Sequence, residues 1–385
     1  ELFSALIKER AETGRIYIMN VDHANTHSSF KDTVYMSNLC QEITLPTKPL
    51  EHIDDEEGEI AVCILSAINV GILKELDDLE ELCELAVRAL EEIIDYQRYP
   101  IKAAEISTKA RRSLGVGYIG LAHYLAKNKA NFADKKAWQL VHDLTEAFQY
   151  YLLQASNKLA QERGPCEYYN RTKYSDGILP IDTYKKDVDT IVENKLNYDW
   201  DSLRKSIGEH GLRHSTLSAQ MPSESSSVVS NATNGIEPPR GYLSVKKSKK
   251  GPLKQIVPQY TTLKQHYTLL WDMPSNEGYI KTVAVMQKFF DQAISGNWSY
   301  NPTHFENNEV PMSQMIQDLL NTYKLGWKTS YYQNTYDYKT DPSELIDEPA
   351  HNVGWHDNVK ESPVERTEFN GTDEEYDEYC EACAI

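Results

Sequence analysis

The chain has 385 residues, of which 40% are hydrophobic, and its formal net charge at pH 7 is −18. This length suffices for two or three average domains or for one large α/β unit with a substantial core. The acidic balance excludes a general nucleic-acid-binding protein, which needs a basic face, and no apolar run approaches the ~18 residues of a membrane span.

The cysteines and the start of the chain indicate its context. Six cysteines in so long a chain do not make a secreted disulfide framework, so we expect them to be reduced, buried or catalytic. Cys166 has no assigned role. No signal peptide is visible, which predicts a cytoplasmic protein. The chain begins at Glu1 directly in helix-like sequence, which predicts a piece of something longer.

Strands are predicted to alternate with helices, which indicates a parallel α/β architecture. In chain order, the apolar patterns predict a helix at 1–12, strands at 15–19 and 60–65, helices at 76–94 and 134–164, strands at 212–220 and 267–271, a helix at 278–295, a strand at 297–300, a helix at 311–323 and a strand at 327–333. The run at 60–65, which contains Cys63, is almost continuously apolar, as expected for a strand covered on both faces. Residues 338–385 are polar and acidic, so we predict one domain at 1–337 followed by a mobile tail.

Three further patterns favour structural interpretations. Cys83 lies on the apolar stripe of the helix at 76–94 and is expected to pack as a small hydrophobe. Residues 115–120, GVGYIG, match the dinucleotide fingerprint, but residues 109–112 before them are not an apolar strand. We therefore predict close helix packing through small residues there. The basic run at 246–250 is interpreted as a solvated loop.

The stretch Asn38-Leu39-Cys40-Gln41-Glu42 places an amide, a thiol and a carboxylic acid on alternate positions. In extended backbone, residues i, i+2 and i+4 project to one side. One substrate would then meet a hydrogen-bonding amide, a sulfur and a proton acceptor together. Taken alone, the pattern is more typical of an ordinary strand edge with one buried cysteine.

Two other motifs suit a reaction that involves phosphates and electrons. The segment Ser223-Glu224-Ser225-Ser226-Ser227 follows a predicted strand, and it offers hydroxyls and helix N-terminal N–H groups to an anion, although most such segments are only loops. Tyr331-Tyr332 ends the last predicted strand. Paired tyrosines usually pack, but a phenol can also carry an electron and a proton as a radical. Adjacent strand residues face opposite sides, so stacking of the two rings needs a local break in the strand.

Cys380 and Cys383 form a C-x-x-C pair near the end of the acidic tail. Two interpretations remain open. The pair performs dithiol–disulfide exchange, or it forms half of a zinc site that His351 and His356 would complete. The long spacing between the two pairs does not resemble a compact zinc finger.

Together these motifs resemble the large, catalytic subunit of class I ribonucleotide reductase. Five motifs occur in the family's order: residues 38–43, the strand that carries Cys63, residues 221–241 from Met-Pro-Ser-Glu-Ser-Ser to Pro-Pro-Arg-Gly, residues 331–335, and the terminal cysteine pair. The resemblance covers essentially the whole chain but only about the C-terminal half of the family's subunit. It implies that residues 1–337 form the second half of a ten-stranded α/β barrel with the catalytic finger loop, and that residues 338–385 form a flexible tail.

The resemblance implies a role for each residue of the finger loop. Cys40 becomes the thiyl radical that removes hydrogen from C3′ of a ribonucleoside diphosphate. Glu42 takes the proton of the 3′-hydroxyl, and Asn38 hydrogen-bonds the ribose hydroxyls. Cys63 is one of two thiols that reduce the substrate and become a disulfide. Its partner thiol is supplied by the family's N-terminal half, which this chain lacks.

The resemblance also assigns the outlying motifs. Tyr331 and Tyr332 relay the radical to Cys40 from a partner subunit. Cys380 and Cys383 reduce the barrel disulfide again and are recharged by thioredoxin or glutaredoxin. The substrate diphosphate is held by Ser223, Glu224, Ser225 and Ser226.

No cofactor or metal is expected to bind this chain directly. The resemblance implies that a metal-containing small subunit supplies the radical and that nucleotide effectors bind the N-terminal half. The expected partners are that half, the small subunit, thioredoxin or glutaredoxin, and the ribonucleoside diphosphate. We expect activity only when the N-terminal half completes the site.

Two alternatives stay open. A cobalamin-dependent reductase of the same superfamily keeps the cysteine pair but has no need of a tyrosine relay. A glycyl-radical enzyme needs a C-terminal glycine motif that the sequence does not show. The chain is otherwise a non-catalytic interaction subunit or a remnant, against which the intact Asn38, Cys40 and Glu42 argue.

Overall fold

The computed structural model describes residues 2–62, 64–248 and 251–337, and over these residues the fold is mixed α/β. The helices there are α1 Leu2–Thr13, α2 Val21–Thr26, α3 Asp78–Tyr96, α4 Lys102–Arg111, α5 Leu121–Lys127, α6 Lys135–Arg163, α7 Pro180–Thr183, α8 Trp200–His210, α9 Glu224–Val229, α10 Tyr260–Leu263, α11 Glu277–Gln287 and α12 Met312–Lys324. The strands are β1 Ile18–Met19, β2 Leu65–Asn69, β3 Gly115–Ile119, β4 Leu243–Ser248, β5 Gly251–Ile256, β6 Trp298–Tyr300, β7 Thr329–Ser330 and β8 Gln333–Thr335.

The strands pair two by two. β2 pairs in parallel with β3, and β6 pairs in parallel with β8. β1 pairs antiparallel with β7, and β4 pairs antiparallel with β5. Backbone hydrogen bonds continue from β3 through two extended segments to the end of β7. They join Val116 N to Leu217 O at 2.8 Å, Gln220 N to Ala293 O at 3.1 Å, and Tyr331 N to Gly296 O at 2.8 Å. Within the described residues the series does not close into a barrel.

The largest core cluster includes the long helix α6, which begins and ends as the sequence predicts. The Asp134 side chain accepts a hydrogen bond from the backbone N–H of Ala137, and Gly164 follows the last turn with a φ of +81°. The helix packs against α3, where Cys83 is fully buried with its sulfur 3.8 Å from the Phe148 carbonyl oxygen. Burial raises the pKa of the Cys83 thiol, so the prediction of a structural cysteine is confirmed.

The glycine-rich motif at 115–120 forms a strand, so the predicted helix packing is wrong. Its first five residues are β3, which is buried along its whole length. A Cβ atom added at Gly117 would lie 2.7 Å from the Ala219 carbonyl oxygen, which explains why a residue without a side chain stands there. Gly120, with a φ of +82°, then turns the chain into α5. The first two glycines therefore allow neighbouring strands to approach each other.

The strand predicted at 60–65 is displaced along the chain, because the regular strand is β2. Residues 60–62 are half-buried or exposed, contrary to a strand covered on both faces. The Ile60 carbonyl accepts a hydrogen bond from the Ser107 hydroxyl at 2.6 Å, so a side chain takes the place of a strand partner. Cys63 lies outside the described residues.

The helix predicted at 278–295 is wrong in its second half, because α11 ends at Gln287. The buried Asp291 carboxylate explains the early end. It accepts hydrogen bonds from the backbone N–H groups of Leu217 and Ser218, each at 2.9 Å. These bonds hold residues 288–295 in the series of extended segments, against the helical preference of their apolar pattern.

Two predictions between residues 240 and 272 are also wrong. The basic run at 246–250 was expected in a loop, but β4 and β5 form an antiparallel hairpin there, and residues 249 and 250 lie outside the described residues. The predicted strand at 267–271 is absent, because residues 267–269 have no regular structure and a 3₁₀ turn, Leu270–Asp272, follows them. Leu270 donates its backbone N–H to the Pro239 carbonyl at 2.9 Å, so a loop takes the bond that a strand would have used.

Other predicted elements are present with small shifts. Helix α1 ends just before Gly14, α12 is followed by Gly326 with a φ of +85°, and β6 lies within the predicted strand at 297–300. None of the helices in the described part of the chain combines the length and the apolar character that crossing a bilayer demands.

Candidate active site

The stretch that carries Asn38, Cys40 and Glu42 forms a tight turn. The backbone N–H of Gln41 donates to the Asn38 carbonyl at 3.1 Å, and Gln41 has a φ of +71°. The predicted convergence of side chains along an extended strand is therefore wrong. The turn brings two of the three together differently, because the Asn38 side chain hydrogen-bonds the Glu42 carboxyl group while Cys40 lies in the turn itself.

Local hydrogen bonds hold Gln41 in its left-handed backbone conformation. A non-glycine residue in this conformation costs about 1–3 kcal/mol, and the conformation persists only where surrounding contacts determine it. The Gln41 side-chain amide donates to the Asn38 carbonyl at 3.2 Å. The Asn38 side-chain oxygen accepts the backbone N–H of Ile43 at 3.1 Å. The half-buried Cys40 is therefore presented by a fixed turn.

Glu42 is held from the neighbouring extended segment. Its carbonyl accepts the backbone N–H of Ala293 at 3.0 Å, and its carboxylate accepts the Ser295 hydroxyl at 3.2 Å. The Ser295 hydroxyl is also close to the Cys40 carbonyl oxygen, so one side chain links both residues. Glu42 is only 2% exposed, and this burial raises the pKa of its carboxyl group, although hydrogen bonds from Asn38 and Ser295 act in the opposite direction. A raised pKa suits a group that takes up a proton near neutral pH.

Tyr331 and Tyr332 occupy a break between β7 and β8, and the break lets their rings meet. The ring centroids lie 4.2 Å apart with the planes inclined by 55°. The Tyr331 hydroxyl donates to the Cys40 sulfur at 3.4 Å. Burial is the largest cause that raises the pKa of the Tyr331 phenol, followed by its bond to Cys40. The break on which ring contact was predicted to depend is therefore present.

Buried polar groups stabilise the break. Arg10 of α1 is fully buried and donates to the carbonyl oxygens of Tyr331 at 2.8 Å and Tyr332 at 3.3 Å. The backbone N–H of Tyr332 donates to the Asn297 side-chain oxygen at 3.1 Å. The Asn297 amide in turn donates to the Glu237 carboxylate at 2.6 Å. The backbone of the tyrosine pair is thus fixed from two sides.

The serine segment begins a short helix, as predicted. Ser223 directly precedes α9 and is 5% exposed, and its Oγ has no hydrogen-bond partner among the described residues. Ser225 and Ser226 are exposed on the first turn of α9, and Glu224 is half-buried. A buried hydroxyl without a partner and the N-terminal N–H groups of a helix together suit an anionic group.

Hydrogen bonds place the serine segment near the edge that carries Glu42. Ser295, whose hydroxyl contacts Glu42, donates its backbone N–H to the Gln220 carbonyl at 2.9 Å. Gln220 pairs in parallel with Ile294 and stands three residues before Ser223. Parallel segments that end side by side present their following loops at one edge, where ligands bind in α/β folds.

The described residues do not test every predicted position. Cys63, Cys380, Cys383 and the two histidines of the zinc interpretation, His351 and His356, all lie outside the described residues. Their roles stay predictions.

Sequence reasoning missed the residues that hold the site together. Arg10, Ser295 and Asn297 carry no motif of their own, and their partners stand 321, 253 and 35 positions away along the chain. Only Arg10 left a signal in the sequence. It lies within the helical pattern of α1, and a charged side chain that is buried requires partners.

Residues 1–333 match the family model described as the ribonucleotide reductase barrel domain. The chain therefore belongs to the ribonucleotide reductase family. The match spans the turn at residues 38–42, called the finger turn below, the serine segment at 223–227 and the tyrosine pair.

The chain is also similar to individual members of this family. The chain is 60% identical to the ribonucleoside-diphosphate reductase subunit alpha of Haemophilus influenzae over 351 residues, which are 90% of this chain and 46% of the relative. It is 58% identical to the ribonucleoside-diphosphate reductase 1 subunit alpha of Escherichia coli over 347 residues, 89% of this chain and 46% of the relative. It is 44% identical to the ribonucleoside-diphosphate reductase subunit alpha of Enterobacteria phage T4 over 344 residues, which are 88% of this chain and 45% of the relative. The chain thus spans about half the length of the curated relatives it matches.

Proposed function

We propose that this chain is the C-terminal part of the large subunit of a ribonucleoside-diphosphate reductase, which makes deoxyribonucleoside diphosphates by thiyl-radical chemistry. The observation that carries the proposal is the 3.4 Å contact between the Tyr331 hydroxyl and the Cys40 sulfur, beside the buried Glu42. The contact joins an oxidisable phenol directly to the thiol that must become a radical. It favours a class I enzyme over a cobalamin-dependent one, which needs no tyrosine relay.

The radical would reach the substrate in two hydrogen-atom transfers. The Tyr331 phenoxyl radical takes a hydrogen atom from the Cys40 thiol, which leaves a phenol and a thiyl radical. The thiyl radical then takes the hydrogen from C3′ of the ribose, while Glu42 accepts the proton of the 3′-hydroxyl. The Asn38 amide hydrogen-bonds the ribose hydroxyls. The Ser295 bond to Glu42 and the raised pKa of Glu42 support this role, because a general base must be held in place near the proton that it removes.

Reduction then needs two electrons and a leaving group. The 2′-hydroxyl takes a proton from one of two thiols, Cys63 and a second thiol, and departs as water. The pair supplies two electrons and its other hydrogen to C2′ and becomes a disulfide. Cys40 then returns the hydrogen atom to C3′, which restores the thiyl radical. Cys380 and Cys383 would exchange with that disulfide and pass the oxidation to thioredoxin or glutaredoxin. The diphosphate would bind Ser223, Glu224, Ser225 and Ser226, a role supported by the buried, unpartnered Ser223 hydroxyl.

The proposed enzyme needs further parts beside this chain. The second thiol, the rest of a ten-stranded barrel and the nucleotide effector sites would belong to an N-terminal half, and the radical would come from a metal-containing small subunit. Three apolar side chains near the finger turn are more than half exposed in this chain, which supports a covering segment. They are Tyr35 at 69%, Met36 at 59% and Leu39 at 56%.

The test is a reconstitution. The chain is combined with the N-terminal half of a close relative's subunit, the small subunit and thioredoxin, and reduction of a ribonucleoside diphosphate is followed. Deoxyribonucleotide formation that disappears in the Cys40→Ala variant supports the proposal. Equal formation by the variant contradicts it.

A further inference from the structure

A third tyrosine contacts both members of the pair that approaches Cys40. The Tyr17 ring centroid lies 4.7 Å from that of Tyr331 and 5.3 Å from that of Tyr332. Tyr17 directly precedes β1, which pairs antiparallel with β7 so that Ile18 is opposite Ser330. One further step in that register places Tyr17 opposite Tyr331, as a cross-strand neighbour.

The Tyr17 phenol interacts with both phenols of the pair. Burial and the interaction with Tyr332 raise the pKa of Tyr17 to about 12, while the interaction with Tyr331 acts in the opposite direction. The Tyr17 phenol therefore stays protonated at neutral pH and keeps a hydrogen to share with its neighbours.

Arg10 fixes Tyr17 relative to the pair. Its guanidinium binds the Ile16 carbonyl, next to Tyr17, and the same nitrogen donates to the Tyr331 carbonyl at 2.8 Å. The ring of Trp298 covers this guanidinium at 4.6 Å. The two backbone segments that carry the phenols are thus joined by one buried cation.

A packing role alone does not need the Tyr17 hydroxyl. A phenylalanine would fill the same space, whereas hydrogen-atom transfer between phenols depends on where each O–H points. A small misplacement of reacting groups costs large factors in rate. A phenol whose ring contacts both members of the pair and whose hydroxyl interacts with both can restrict their orientations in the way that such a transfer requires.

We propose that Tyr17 is a positioning residue of the radical relay, whose hydroxyl orients the phenols of Tyr331 and Tyr332 for hydrogen-atom transfer toward Cys40. The inference rests on the proposed function. Tyr17 takes no electron in this scheme, and the transferred hydrogen passes only between the pair and Cys40.

The test compares Tyr17→Phe with Tyr169→Phe in the reconstituted enzyme. Tyr169 is a matched control, because it is half-buried, its pKa is also raised to about 12, and its hydroxyl donates only to the carbonyls of Tyr174 and Ile207. We expect kcat to fall about tenfold in Tyr17→Phe with KM unchanged, and to be unchanged in Tyr169→Phe.

A second readout does not depend on turnover. With 3-nitrotyrosine in place of Tyr331, the pKa of the nitrophenol is read from its absorbance in the assembled subunit. A hydrogen bond to the phenolate lowers that pKa, so Tyr17→Phe should raise it by about one unit and Tyr169→Phe should not. Unchanged kcat and an unchanged nitrophenol pKa in Tyr17→Phe overturn the inference, as does a change in only one of the two.

Two variants separate the relay role of Tyr331 from the positioning role of Tyr17. Full turnover by Tyr331→Phe overturns the proposed relay and the role of Tyr17 with it. If Tyr331→Phe is inactive while Tyr17→Phe turns over normally, the relay stands and only the inference about Tyr17 is wrong.

Discussion

The Tyr331 hydroxyl and the Cys40 sulfur lie 3.4 Å apart although 291 positions separate them in the sequence. The finger turn brings the thiol to this point, and the break between β7 and β8 brings the phenol. A hydrogen atom can pass along this contact with no group between them. The contact makes the two residues the first to examine by mutation.

Tyr331→Phe is expected to stop turnover without weakening substrate binding. The phenyl ring keeps the packing but has no O–H to oxidise, so loss of activity separates a relay from a core residue. Turnover and nucleotide binding are measured separately in the reconstituted enzyme. Tyr332→Phe should behave in the same way. Normal turnover in either variant would return that tyrosine to a packing role.

Cys40→Ala is expected to abolish deoxyribonucleotide formation with any reductant while the fold is kept. The side chain is half-buried, so its loss should change the unfolding temperature by only a few degrees. Cys166→Ala, at a buried thiol outside the site, is the matched control and should keep its activity. A few per cent of turnover remaining in Cys40→Ala would rule out the radical role.

Glu42→Gln is expected to lower turnover at least about 100-fold, because the amide cannot accept the proton. Burial raises the pKa of Glu42 above its ordinary value of 4.5, so activity in the native protein should be lost as the pH is lowered through that raised pKa.

The same rise in the pKa of Glu42 makes the stability of the fold depend on pH. The folded state binds this proton more tightly, so the stability from it is present below about pH 4.5 and is lost as pH rises through the folded pKa.

The measurement is denaturant unfolding across pH, with kcat/KM recorded over the same range. Glu42→Gln should remove this group's part of the pH dependence of stability, while Glu57→Gln at an exposed position should not. An unchanged acid limb of activity in Glu42→Gln would assign the base to another residue.

The sequence was sufficient for elements whose signals are local. The Asp134 cap, the α6 periodicity and the glycines that follow α1 and α12 all predicted helix ends correctly. It was insufficient where a distant partner decides the backbone. The hydrogen bonds that the Asp291 carboxylate accepts from the backbone of residues 217 and 218 end α11 early. The left-handed Gln41 turns a predicted extended stretch into a turn.

The candidate site shows the same contrast between local signals, which the sequence carries, and distant partners, which it does not. Residue types predicted Cys40, Glu42 and the tyrosine pair as candidates, but the way they meet depends on long-range bonds. Ser295 anchors Glu42, and Arg10 holds the tyrosine backbone, from positions that no spacing rule connects.

Replacing both Cys380 and Cys383 by Ser is expected to stop multiple turnover with thioredoxin while leaving a single reducing turnover. A prereduced site still holds one pair of electrons, but the tail can no longer renew it. The product formed per enzyme is measured with and without thioredoxin. Normal cycling in the double variant would remove the shuttle role. Stoichiometric zinc in the native protein, lost in the variant, would favour the zinc interpretation instead.

By itself the chain is expected to reduce no ribonucleoside diphosphate, even with the small subunit and a reductant present. The described strands do not close into a barrel, and apolar side chains near the finger turn are exposed, so a covering segment is needed to exclude water from the radical. Adding the N-terminal half as a separate polypeptide should restore activity, and the two should co-elute in size-exclusion chromatography. A charge-reversed variant at an exposed position of α3, Glu92→Lys, should associate equally well and serves as the control. Turnover by the isolated chain would show that the site is complete without a second half, and failure of the halves to associate would refute the proposed completion of the barrel.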